Sequence, residues 1–388
     1  MNIAFFTDTW LPNVDGVVNS MLLQKGELEA RGNKVFVFAS GTTHEKHNNE
    51  ENDVFVHSGM SLPSYPQYKV ALFPIPTALK QVKEAKIDVI HSHAIASMGI
   101  AAITAAKYRK LPLIGTFHTM VPQAAKYVTK SATGQKLLSK AAWKAITLFY
   151  TPFDLVIAPS NTIKRELVKQ GIKRVTTVPN GIDSSRFNPL VSGERVRKKL
   201  GLKEKKIVLV AGRMGFEKNI DVVIRSISRV LEEEKNAFFL ITGKGPAKTR
   251  CEKLADELGL SKEQIRFEGF VPDEELPEYY AACDVFTTAS TFETQCLALY
   301  EAMGCGKPVV GADSLAIPEA IDEGYNGFLF EADNPEDCAE NLLRVLKAPG
   351  SERDAWSRHA RSKAKEKSVQ ASVDLLMEAY ESELARKA

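Results

Sequence analysis

The chain has 388 residues, of which 44% are hydrophobic and 26% charged, with 24 glycines; this allows two or three domains and excludes disorder, collagen and coiled coil. Five cysteines, odd in number and without Cys-x-x-Cys spacing, exclude a disulfide framework or a structural zinc and point to reduced thiols in a cytosol. A net charge of +3 conceals a split: residues 1–190 hold 22 Lys/Arg against 13 Asp/Glu, whereas residues 191–388 hold 29 against 35.

No apolar run reaches the ~18–20 residues of a spanning helix, and the chain opens on the strand pattern Ile3–Phe6, so neither signal peptide nor membrane span is expected. Pro12-Asn13-Val14-Asp15-Gly16-Val17 follows and opens a helix. A glycine there brings backbone close to a ligand, and a helix N-terminus offers free amides to an anion; the alternative is a plain tight turn. The absence of Gly-x-Gly-x-x-Gly removes the main support for a dinucleotide site. Further strands are expected at Val35–Ala39, Asp88–His91, Leu113–Phe117 and Leu155–Ala158. His118 closes one of them at its carboxyl edge, either as a functional group or as a satisfied structural histidine, and His91 and His93 read as structural.

No Asp or Glu occurs from Val89 to Phe153, a window holding Lys107, Arg109, Lys110, Lys126, Lys130, Lys136, Lys140 and Lys144. Within it, Gln135–Phe149 reads as a helix with Lys136, Lys140 and Lys144 on one stripe, Trp143 and Thr147 beside it, and Leu137, Leu138, Ala141, Ala145 and Leu148 on the other side. Such a stretch suits an anionic membrane interface, or else is a solvated basic face over a core helix.

The turn-rich stretches Pro179–Asp183 and Phe187–Pro189 read as a linker, after which the strand pattern restarts at Lys206. Strands are expected at Ile207–Ala211, Phe238–Thr242, Asp284–Thr288 and Pro308–Gly311. Near-continuous apolar strands separated by helices indicate two doubly wound parallel sheets with a cleft between them, and ligands sit outside the carboxyl ends of such strands. Two motifs lie at those ends. Gly212-Arg213-Met214-Gly215-Phe216-Glu217-Lys218 carries two cations that can straddle a diphosphate, and Phe292–Glu301 carries Glu293 and Glu301, which can grip two ends of an elongated ligand. Gly243-Lys244-Gly245-Pro246 is a glycine turn without the spacing of a P-loop, and Val369–Lys387 reads as a packed amphipathic terminal helix.

In this order and spacing the motifs resemble the retaining nucleotide-sugar glycosyltransferases of family GT4, over nearly the whole chain. The resemblance implies an α/β GT-B fold, two Rossmann-like domains facing a central cleft. Residues 1–190 would bind acceptor, residues 191–368 would bind the nucleotide sugar, and a terminal helix 369–388 would pack back on the first domain. It further implies that Gly16 gives backbone to the donor diphosphate, which Arg213 and Lys218 neutralise as it leaves. Glu293 holds hydroxyls of the transferred sugar, Glu301 holds the ribose, and His118 contacts the sugar near its 6-hydroxyl. Gly243, Thr294, Gln295, Cys296 and Leu297 line the donor, and Val271, in Phe270-Val271-Pro272, helps read the base through backbone groups. One departure is Cys296, where the family commonly has glycine.

The chain contains no Asp-x-Asp, in keeping with a metal-independent reaction and no cofactor. Glu293-Thr294-Gln295 and the opening Phe5-Phe6-Thr7-Asp8-Thr9-Trp10 look most like the glycolipid-forming branch, which glycosylates diacylglycerol or phosphatidylinositol-type lipids. The expected activity moves a hexose from UDP-glucose, or secondly GDP-mannose, to a membrane lipid. The enzyme would be cytoplasmic and peripheral at the cytoplasmic membrane face, held there by Lys126, Lys130, Lys136, Lys140, Trp143 and Lys144, and no nucleic acid is expected as partner. A soluble acceptor such as a sugar phosphate, or a sugar-nucleotide epimerase of similar fold, are the alternatives.

Overall fold

The computed structural model describes every residue except 14, 42–52, 63, 64 and 130, with only the backbone of 61, 62, 65–68, 124, 125 and 127. The chain divides into two compact units, Met1–Gly181 with Val369–Ala388, and Ile182–Ser368. Residues 182–190, grouped above with the first domain, therefore lie in the second, because Ile182 and Phe187 join its core and Phe187 meets Tyr280 edge-on at 5.7 Å.

The first unit carries strands β1 (Asn2–Thr7), β2 (Lys34–Gly41), β3 (Val54–Leu62), β4 (Tyr65–Ala71), β5 (Val89–Ser92), β6 (Leu113–Thr116), β7 (Leu155–Ala158) and β8 (Val175–Thr177). They form one sheet in the order β4-β3-β2-β1-β5-β6-β7-β8, parallel except for the antiparallel β3–β4 pair. The order reverses between β1 and β5, where ligands of such sheets bind. Val373, Leu376 and Tyr380 of the terminal helix Val369–Lys387 are buried in the same core as Ile3 and Phe5 of β1. Its Glu383, 1% exposed, is held by Arg174 at 2.5 Å and Arg386 at 2.8 Å, while Arg386 and Lys387 both reach Asp154 at 2.6 Å.

The second unit repeats the plan with β9 (Lys206–Ala211), β10 (Ala237–Thr242), β11 (Ile265–Gly269), β12 (Val285–Thr288), β13 (Val309–Ala312) and β14 (Gly327–Phe330). Their order is β11-β10-β9-β12-β13-β14, with all neighbouring pairs parallel and the reversal between β9 and β12. The residues after β9 and after β12 thus flank this switch point. All five cysteines are buried and unpaired, and among the described residues no helix is long and apolar enough to cross a membrane.

Candidate active site

The loops at the switch point of the second unit are packed backbone on backbone. Gly243 and Gly245, with φ of 118° and 158°, follow β10, and a Cβ on either would meet the carbonyl oxygen of Gly212 at 1.8 Å or of Met214 at 2.3 Å. Only glycine lets the two loops approach this closely, and Met214 N then donates to Lys244 O at 2.8 Å. Arg213, on the loop after β9, pairs with Glu217, and Lys218 Nζ donates to Glu293 Oε1 at 2.5 Å. Both expected donor cations are thus matched to a carboxylate. Burial alone would raise the Glu293 carboxyl, but the Lys218 charge, with a hydrogen bond from Ser290 and the Arg213 charge, holds it below the usual range. Burial opposes the Lys218 charge most strongly of any single influence, but the Glu293 charge and hydrogen bond, with Cys296 and Glu217, together outweigh it and hold the ammonium above its ordinary range.

Cys296 adopts a left-handed conformation (φ 64°) and starts the helix Leu297–Gly304. Glu293 lies three residues before that cap and Glu301 five residues into the helix, so Glu301 sits little more than one turn along it. Gly212, Arg213, Lys218, Thr288, Glu293 and Cys296 line a common cavity of about 30 Å³. Glu301 accepts a 2.7 Å hydrogen bond from Tyr280 Oη, and burial pushes its carboxyl up to about 7 despite that bond. Gln295 is buried, Thr294 and Leu297 are half-buried, and the Val271 side chain is buried in the core beside exposed Phe270. Lys244 lies over the Phe270 ring at 5.4 Å.

In the first unit, Gly16 is exposed and begins the helix Gly16–Ala30. The free helix amides expected there are in fact taken, because Asp15 Oδ1 accepts from Val17 N and Val18 N at 2.9 Å each. A short acidic side chain at an N-cap satisfies its own helix, leaving the Gly16 backbone as the approachable group. His118 stands after β6 with Nε2 2.9 Å from His93 Nδ1, and burial pushes it down to about 4.

The basic helix spans Ala132–Tyr150, and Ser131 caps it by accepting from Gly134 N at 3.3 Å. Lys136, Lys140 and Lys144 are exposed, as is Lys126, while Lys130 lies outside the described residues. Leu137, Ala141, Ala145 and Leu148, adjoining the lysine stripe, are exposed as well, with Leu137 at 68% and Leu148 at 72%. Trp143, expected at the membrane side, instead turns inward and stacks on Phe117 at 6.2 Å and 12°. A large ring finds more apolar contact there than over the flanking alanines.

Residues 14–186 match the family Glycosyltransferase Family 4, and residues 192–363 match Glycosyl transferases group 1. An alpha-monoglucosyldiacylglycerol synthase of Streptococcus pneumoniae is 30% identical over 354 residues, covering 89% of this chain and 78% of that protein. The chain is a family 4 glycosyltransferase. A second alpha-monoglucosyldiacylglycerol synthase, from Acholeplasma laidlawii, is 28% identical over 359 residues, covering 90% of this chain and 89% of that one. Among solved structures, Anabaena HepE in complex with UDP-glucose superposes with a TM-score of 0.77 at 20% identity, covering 98% of this chain and 100% of that chain. That likeness makes the fold of the glycosyltransferase GT-B.

Tyr280, on Glu301, is a residue of this glycosyltransferase that the motifs do not include, and His93, read above as structural, lies on His118. The His91-x-His93 alternation was the available signal for the second, since a strand sends alternate side chains to one face. The raised Glu301 carboxyl has a testable sign. Its folded proton affinity exceeds the unfolded one, so this residue lowers stability as pH rises from about 4.5 to about 7, and the loss persists above that. Glu301→Gln should therefore melt close to wild type at pH 5 and above it at pH 8, measured by calorimetry. A melting difference independent of pH would contradict the raised carboxyl.

Proposed function

We propose that this glycosyltransferase moves a hexose, glucose from UDP-glucose first and mannose from GDP-mannose second, onto a membrane lipid with retention of configuration and without a metal. The observation that carries the lipid acceptor is the basic helix. An apolar stripe through Leu137, Ala141, Ala145 and Leu148 faces solvent beside Lys136, Lys140 and Lys144. A solvated basic face over a core helix would bury that stripe. An exposed one flanked by cations suits the headgroup–acyl boundary of an anionic membrane, at ~1 kcal/mol per well-placed lysine. Relatives named for diacylglycerol products support the same acceptor class.

At the donor, the leaving diphosphate gains charge as the anomeric bond breaks. Arg213, exposed and free to exchange Glu217 for phosphate, and Lys218, fixed on Glu293, supply the compensating charge. Glu293, ionised beside Lys218, accepts hydrogen bonds from sugar hydroxyls, and Glu301 does so from the ribose. His118 contributes a neutral ring near the sugar. An α-linked product from an α-linked nucleotide sugar is retention, and several relatives are named for α-linked transfer.

Incubation with labelled UDP-glucose or GDP-mannose and diacylglycerol in anionic vesicles should yield lipid-extractable label in α linkage, read from anomeric proton coupling. Label found only in a soluble acceptor such as inositol phosphate would overturn the lipid reading. Glu293→Gln and Lys218→Ala should each cut turnover at least about tenfold with unchanged circular dichroism, since one such charge-stabilising group is commonly worth ~2.7–4 kcal/mol. Near-normal turnover in either variant removes its assigned role. Turnover should survive EDTA, because Arg213 and Lys218 carry the charge; full loss restored by Mg²⁺ or Mn²⁺ would reverse that assignment. Replacing Lys136, Lys140 and Lys144 together by Gln should weaken co-sedimentation with anionic but not neutral vesicles, an effect that high salt reproduces in the wild type. Donor binding should hardly change. Equal sedimentation of the triple variant at low salt would reduce the stripe to a solvated face.

A further inference from the structure

Three histidines meet at the carboxyl ends of β5 and β6. His91 lies on β5 and His93 immediately follows that strand, its N–H still donating to Phe6 O of β1 at 2.8 Å, so the extended backbone brings the two rings together with centroids 4.1 Å apart. His91 has both nitrogens engaged, Nδ1 with Tyr380 Oη and Nε2 with Thr116 Oγ1, each at 2.7 Å. His93 is engaged on one side only. Its Nδ1 lies 2.9 Å from His118 Nε2, its ring stacks on that of His118 at 5.2 Å and 23°, and Phe5 meets it edge-on at 4.8 Å. Its Nε2 is buried and has no hydrogen-bond partner among the described residues.

We propose that His93 is the positioning residue of His118, fixing its ring and its tautomer through the Nδ1···Nε2 hydrogen bond; the functional consequence rests on the role of His118 proposed above. A bond between two neutral imidazoles holds one proton, so one ring donates and the other accepts. If His118 donated, His93 would carry its own proton on Nε2, a buried N–H with no acceptor. An orphaned donor is tolerated less well than an orphaned acceptor. His93 therefore donates from Nδ1, and His118 accepts at Nε2 and carries its proton on Nδ1. Protonating His118 would force His93 to accept at Nδ1 and move its own proton to the buried, unpartnered Nε2, so the pairing also favours the neutral ring. Burial acts in the same direction on both rings, and the titratable groups around the cluster among the described residues include His91 of β5, Tyr380 of the terminal helix and Tyr150 of the basic helix, the first pushed down and the two tyrosines pushed up by burial.

The wild-type protein tests this directly. Histidine side-chain ¹⁵N spectra, with His118 assigned by the signal lost in His118→Ala, should show His118 as the Nδ1–H tautomer and neutral down to about pH 5. An Nε2–H tautomer would overturn the proposal. Variants separate positioning from bulk: Asn places an amide where the imidazole Nδ1 sits, whereas Gln reaches the place of Nε2. His93→Asn should keep kcat within about threefold, while His93→Gln and His93→Leu should lower kcat about tenfold with donor Kd unchanged. In His93→Leu the His118 ring should also protonate at higher pH and populate both tautomers. Equal rescue by Gln and Asn, or unchanged His118 nitrogen shifts in His93→Leu, would overturn the assignment. If His118→Ala keeps full turnover, the role of His118 in transfer falls, while the tautomer measurement still decides what His93 does to it.

Discussion

Lys218 arrives on the loop after β9 and Glu293 on the loop after β12, 75 residues apart, and their ion pair ties together the two loops that flank the switch point of the second unit. Neither charge is well solvated, so removing one partner strands the other, a change that typically costs about 3–5 kcal/mol. The Arg213–Glu217 pair is of a different kind. Arg213 is 54% exposed, and an exposed pair is worth roughly 0–1 kcal/mol, so a competing anion displaces the carboxylate cheaply. One cation is thus built into the site and the other is exchangeable, although both come from a single eight-residue loop.

Close backbone packing sets what that loop can be. The left-handed glycines after β10 let the Gly212–Met214 backbone lie directly on the Gly243–Gly245 turn. Cys296 takes a similar left-handed conformation without being glycine, a strain of order 1 kcal/mol or more. Its thiol is buried, and desolvation raises its proton affinity more than the nearby Lys218 lowers it, so it packs as a small apolar group. The helix it starts then carries Glu301 to Tyr280, whose hydroxyl, together with the Arg186 charge, offsets part of the desolvation of that carboxyl.

The strands legible in the sequence were those buried on both faces, such as Ile3–Phe6, Ile207–Ala211 and Phe238–Thr242, because a central parallel strand must be apolar along its whole length. The strands that were not legible lie at or near the sheet edges. β3 and β4 form an antiparallel pair whose apolar pattern is broken by His57, Ser58, Ser61, Gln67 and Lys69, β8 has three half-buried residues, and β11 mixes Arg266 and Glu268 into its apolar pattern. The cations and acids of the second unit were readable as motifs because their loops follow strands in a fixed order. Their partners were not. Tyr280 reaches Glu301 across 21 residues, His93 reaches His118 across 25, and Tyr380 reaches His91 across 289. Such pairings depend on which strands become neighbours, and one-dimensional spacing does not encode that.

The terminal helix and the basic helix both reach the histidine cluster, the first through Tyr380 on His91 and the second through Tyr150 on Thr116, which itself bonds His91. Tyr380 fixes His91, and Arg174, Arg386, Lys387, Glu383 and Asp154 fasten the end of the terminal helix. The basic helix is anchored by rings, Trp143 on Phe117, Tyr150 against Phe153 and the Phe149 ring over Gly99, and by hydrogen bonds from Thr147 to Gln170 O and from Tyr150 to Thr116 O, each 3.3 Å. Phe117 immediately precedes His118, so the helix that exposes Leu137 and Leu148 leans on the residue next to the paired imidazole. Gly115 on β6 is needed for the same packing, since a Cβ there would meet the Phe153 ring at 2.5 Å. With no carboxylate between Val89 and Phe153, nothing on this stretch neutralises the lysines from within. The helix therefore presents an unbalanced positive charge beside exposed apolar groups, on a scaffold held, among the described residues, by aromatic packing and the Thr147 and Tyr150 hydrogen bonds, and salt screens the first without loosening the second.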